Sequence, residues 1–152
     1  MYDPPQSDMA TSKLALPYLV PAQAQKEFTV NESLAILDAA ISPVVEAILN
    51  DPPPSPSAGQ SWLVGHSPTG AWQGKAHHIA TWQGDRWILN APWTGSTLYD
   101  RSAGHSRLFD GAWSSVATIA DPTAGQTVDV EARDAIVAIL QALRANGTIP
   151  RV

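Results

Sequence analysis

Between Ser61 and Val116 the chain is cut into six short apolar runs, SWLVG, HHIATWQ, RWILNAP, STLYD, HSRLFDG and AWSSV, separated by turn sequences such as SPTG, QGD, TG, AG and DG. No other feature limits the fold as much. The runs are filled with Trp, Ile, Leu, Val, Tyr, Phe and Thr, which favour the half-buried surface of a pleated sheet. The pattern predicts an antiparallel meander over 61–116, closed as a small sandwich or half-barrel. Gln83–Arg86 (QGDR) and Phe109–Ala112 (FDGA) carry its best hairpin turns.

The flanks add helices, and the expected fold class is α+β: an N-terminal extended arm and helix, the small antiparallel β-meander, and a C-terminal helix. Residues 1–13 are polar and proline-containing, and read as a flexible arm. Residues 14–50 form the second unit. Leu14 to Val20 is apolar and held extended by Pro17 and Pro21. Thr29 and Glu32 have capping-box spacing, with Phe28 placed to staple against Ser33 or Leu34. Val30, Leu34, Leu37 and Ile41 then recur at helical spacing, and Pro43 stops that helix. Two β-branched residues after Pro43 favour strand over a further helical turn for 44–49. Residues 51–60 are a stiff Pro-rich connector.

Beyond the meander, 117–128 is a linker, and 129–152 holds the C-terminal helix and tail. Asp129 can cap a helix over Val130–Ala145, with Glu131 in its first turn and Arg144 in its last. Asn146-Gly147 ends it. Ile136, Ile139, Leu140 and Leu143 make a short seam of coiled-coil character, which must dock on the domain or on another copy.

Composition narrows the partners. With 152 residues the chain can bury one core, yet only 15% of them are charged. So little charge leaves neutral surface that neighbouring subunits can cover. Net charge is −5 and the nine basic residues are scattered, which argues against a nucleic-acid grip. There is no cysteine, no run long enough to span a bilayer and no signal-peptide pattern at the start. The expectation is a soluble, cytosolically made protein that stays in the cytoplasm or leaves within an assembly.

Chemistry-bearing patterns are few. His77 and His78 are adjacent, so on a strand they face opposite sides, and His66 and His105 show no partner spacing. Asp85 and Asp110 suit turns, and no phosphate loop, nucleophile elbow or zinc signature occurs. No catalytic residue, metal ligand or cofactor is expected, and the chain reads as a non-enzyme. Trp62, Trp82 and Trp87 suit the core of a small sheet, whereas Trp72, Trp93 and Trp113 lie beside glycine turns, where exposed rings could stack on sugars. The polar patch of Gln23, Gln25, Lys26, Glu27, Asn31 and Glu32 reads as structural, bonding the extended segment or a neighbour. Leu16, Tyr18, Gln23, Gln25, Lys26 and Glu27, with Ile136, Leu140 and Leu143, are the candidate subunit contacts.

The string LPYLVPAQAQKEFTVNE (Leu16–Glu32), with PPSPSAG at Pro53–Gly59 and TGAWQG at Thr69–Gly74, resembles a bacterial domain family of unknown function. The resemblance covers roughly Leu14 to Gly95. It implies a place in prophage-like gene clusters, tail fibres or gene transfer agents. A short, helix-ended member looks like the head-spike base of such a particle, an adaptor more than a receptor-binding tip. The partners implied are other copies of the chain, capsid, tail or fibre proteins, and host surface polysaccharide. The place implied is a virion or virus-like particle, and the family brings no catalytic residues with it.

Overall fold

A computed structural model describes residues 16–19, 22–123 and 129–151. The 1–13 arm and part of the 117–128 linker therefore lie outside the described residues. The rest is α+β, with two helices and two small mixed sheets: α1 (Lys26–Ala40), β1 (Val44–Val45), β2 (Ile48–Leu49), β3 (Ser61–Val64), β4 (Ile79–Trp82), β5 (Trp87–Asn90), β6 (Thr97–Asp100), β7 (His105–Leu108) and α2 (Val130–Ala145). A single 3-10 turn at Gly70–Trp72 interrupts the path from β3 to β4.

Five of the six expected runs are strands, and both expected turns are in place. Gln83 N–H donates to the Arg86 carbonyl, and Asp110 N–H to that of Ala112. The sixth run, AWSSV, makes only an isolated bridge from Trp113 to Phe109. The strands do not form one meander, however. β3, β4 and β5 make an antiparallel triplet, β6 and β7 an antiparallel hairpin, and each group gains a parallel edge strand from the segment after α1. β1 runs beside β6 (Val44 opposite Tyr99), and β2 runs beside β3 (Ile48 opposite Leu63). Strand was the right reading of 44–49, and its position was hidden because both partners are distant in sequence. This one segment ties the two sheets together.

Burial explains why β3 is apolar from Trp62 to Val64, its buried Ser61 being bonded to the Thr81 hydroxyl. Successive residues of a strand face opposite sides, and here both sides are covered. Leu63 and Ile79 meet Val45 and Leu98 of the other sheet, with Trp113 against them. Trp62, Val64 and Ala80 point the other way into a second cluster completed by Trp72, with Trp82, Trp87 and Leu89 at its margin. Its rings meet edge to face, Trp62 with Trp87 at 5.7 Å and Trp72 with Trp87 at 5.0 Å. Trp82 and Trp87, expected in the core, are half-buried at its edge, whereas Trp62 is a core residue as expected. Trp72 is one too, at 0% exposure, because the 3-10 turn folds it inward. Its candidacy as a glycan platform is therefore wrong.

The Pro-rich connector is tied at several points to what it borders. Asn50 C=O accepts from Thr69 N–H, and Gly59 N–H donates to Trp82 C=O. Gly65 has no room for a side chain, since a Cβ there would run into the Asn50 amide.

The start of α1 corrects the capping-box reading. The helix begins at Lys26 after Gln25, which is left-handed (φ 54°, ψ 47°) and gives no side-chain cap. Thr29 thus lies inside the helix, where its hydroxyl accepts from the Gln23 amide. Phe28 is likewise helical and exposed, so no staple forms. Ser33 Oγ contacts the carbonyls of both Thr29 (3.0 Å) and Pro17 (3.2 Å), fastening the arm to α1.

α2 follows its sequence signals closely. The Asp129 carboxylate accepts from Ala132 N–H at 2.9 Å. At the other end Thr148 N–H reaches the Leu143 carbonyl, with Gly147 left-handed at φ +67°. That end is anchored: Ser106 N–H of β7 donates to Gly147 C=O, Ile149 is buried, and Arg144 pairs with Asp121 at 2.8 Å.

Candidate functional site

α1 lies along β5, and Asn90 Nδ2 donates to the Ile36 carbonyl at 3.4 Å. The side it turns inward is made of small residues: Ala39 is buried, and Ala35, Ile36 and Ala40 are half-buried. The periodic stripe read from the sequence turns the other way. Leu34 is 57% exposed and Ile41 68%, Val30 is exposed with them, and only Leu37 is half-buried. The apolar period correctly marked a helix. Most of that stripe does not pack on its own domain.

The α2 seam divides in the same manner. Leu140 is buried within its own chain and Leu143 is half-buried, so Leu140 is no free subunit contact. Ile136 and Ile139 are 47% and 59% exposed. Of the other contact candidates, Tyr18, Gln25, Lys26 and Glu27 are exposed, while Leu16 and Gln23 are half-buried, Gln23 bonding Thr29.

Among the clefts that the described residues form beside the sheets, two hold candidate side chains. One, of about 270 Å³, lies where the end of α1 meets the turn after β5, and includes Asn90, Trp93 and Ser96. Trp93 is half-buried there, and its N–H donates to Ser96 Oγ. The other, of about 320 Å³, lies between the ends of β2 and β3 and the Trp113 loop, and brings together His66, His77, Arg107 and Trp113. Sequence gave no hint of this group, because its members come from four separated segments. His77 is not on a strand at all: it precedes β4 in the left-handed region at φ +67°. There its ring meets that of His66 edge to face at 4.8 Å, and its carbonyl accepts from Trp113 Nε1 at 2.8 Å.

Behind this cleft sits a buried ion pair. Asp100 is fully buried and accepts from Arg107 Nε (2.8 Å), Ser102 Oγ (2.7 Å) and Ala103 N–H (3.0 Å). Burial alone would push its carboxyl up. The Ser102 hydroxyl, the Ala103 amide and the Arg107 guanidinium outweigh burial and hold it below the usual carboxylate range. Among the described residues no group of three or more His, Asp or Glu could hold a metal ion. No helix among them is long and apolar enough to cross a membrane.

A family model described as "Protein of unknown function (DUF2793)" matches residues 30–114, more than half of the chain. The chain belongs to this family. The matched segment contains most of α1, β1 to β7, the Trp cluster and both clefts apart from Ser115, and leaves α2 outside. Neither a curated protein nor a solved structure matches the chain.

Proposed function

We propose that this DUF2793 chain is a non-catalytic structural component of a phage-like particle, a head-spike or fibre base that joins copies of itself and connects the particle to a fibre. The observation that carries the reading is the orientation of α1. A helix at the edge of a domain normally turns its apolar stripe inward, whereas this one presents Val30 and Leu34 to the outside, with Ile41 exposed just past its end. Such a stripe on a chain with few charges fits a surface that is covered after assembly.

Magnitudes set the expected strength. Burying half of a Leu, Ile or Val side chain contributes about 1 kcal/mol. Three such residues from each of two copies then supply roughly 6 kcal/mol, between millimolar and micromolar affinity before association entropy is subtracted. One α1–α1 contact is therefore weak, and a stable base needs several copies with further contacts, for which Ile136 and Ile139 of α2 are available. The opening that resembles particle-associated proteins supports the setting, with contact to host polysaccharide falling to the attached fibre. Particles purified from the producing bacterium test this: the chain is expected to co-purify with intact particles and to be labelled on their surface by antibody in electron micrographs. Its absence from such particles overturns the reading.

A further inference from the structure

We propose that the cleft between the β2 and β3 ends and the Trp113 loop binds a carboxylate carried on a compact ring, a role independent of the assembly reading. Its volume, about 320 Å³, falls at the small end of the range of roughly 300–1,000 Å³ for small-molecule sites. The lining decides the sign of the ligand. The side chains that bring polar hydrogens to it are His66, His77, Arg107 and Ser115, the Trp113 indole N–H being taken by the His77 carbonyl, and no Asp or Glu lines it, although the chain carries a net charge of −5. Arginine only donates, so the Nη2 that Arg107 has left over after Asp100 and Ser114 calls for an acceptor, and the neutralised guanidinium favours one of low charge.

The cleft is also held in shape. Arg107 is fixed by Asp100 through Nε and by the Ser114 carbonyl through Nη1, at 2.7 Å, which leaves Nη2 without a partner among the described residues. Neither imidazole of the His66–His77 pair spends a ring nitrogen on a hydrogen bond among the described residues. His77 keeps its unfavourable backbone conformation because its N–H bonds Val64 C=O at 3.0 Å and its carbonyl receives the Trp113 indole. Strained non-glycine backbone of this kind gathers where a side chain must be aimed.

A carboxylate suits these donors better than a phosphate. Asp100 already neutralises most of the arginine charge, and one free guanidinium nitrogen with two imidazoles matches a single negative charge spread over two oxygens. Ile48, Leu63 and the Trp113 ring supply an apolar wall for the body that carries it.

The test titrates the full chain with sodium benzoate and sodium glucuronate, each beside a neutral counterpart (benzamide, methyl glucoside), and with inorganic phosphate. The indole N–H signal of Trp113 in proton–nitrogen spectra is the reporter. At least one carboxylate is expected to move it at millimolar concentration, and which one does so identifies the ring. His66→Ala and His77→Asn, which keep Asp100 and Arg107 paired, are each expected to weaken that binding tenfold or more. No response to either carboxylate up to about 10 mM, weaker than ordinary small-ligand binding, overturns the proposal. So does an equal response to the neutral counterpart, tighter binding of phosphate, or undiminished binding in both variants.

Discussion

Replacing Asp100 by Ala is expected to lower the unfolding free energy by about 3–5 kcal/mol, because it strands a largely buried arginine without its counter-charge. The Arg107 side chain is only 12% exposed, and the Asp100 carboxylate is its ion-pair partner, holding the guanidinium together with the Ser114 carbonyl. The loss amounts to a large part of the total stability of a domain this size. Urea unfolding of the variant beside the parent measures it. A change below about 1 kcal/mol would mean that the pair is no better than a surface contact.

The same carboxylate gives stability a defined dependence on pH. Its folded pKa lies below the unfolded value of about 3.9. The contribution is therefore present in full above the unfolded pKa, and is lost as pH falls through the folded one. Unfolding free energy should accordingly decline on the acid side below about pH 4. In Asp100→Asn that decline should be shallower, since the group which must take up the proton is gone.

The second large effect belongs to Trp72. Trp72→Ala removes a fully buried indole from the centre of the aromatic cluster on the outer side of the four-stranded sheet, at an expected cost of about 3–5 kcal/mol from lost transfer energy and the cavity left behind. Trp72→Phe should cost much less. It keeps an aromatic edge against Trp87 and deletes a buried Nε1 that has no hydrogen-bond partner among the described residues. Guanidinium unfolding of the two variants separates ring volume from the indole N–H. If Trp72→Ala unfolded like the parent, Trp72 could not be the centre of that core.

What was legible in the sequence followed from local chemistry. β3 to β7 announced themselves because β-branched and aromatic runs stood between glycine turns, and α2 because Asp129 and Gly147 mark its two ends with the right side-chain and backbone preferences. The start of α1 was hidden, since it depends on Gln25 adopting a left-handed conformation that no side chain signals. The docked face of α1 was hidden for another reason: the alanines that let a helix lie close to a sheet carry little hydrophobic signal, while Val30, Leu34 and Ile41 carry much. The parallel edges β1 and β2, the inward turn of Trp72 and the meeting of His66 with His77 all rest on contacts between distant segments. Periodicity cannot report those.

The outward stripe of α1 is the centre of the account, and light scattering over a range of concentrations tests it most directly. The full chain should show a mass above that of one copy, rising with concentration to a fixed multiple, and Leu34→Asp or Ile41→Asp should return it to a single copy with the circular dichroism spectrum unchanged. A strict monomer at the highest concentration reached, or an assembly indifferent to both substitutions, would contradict it.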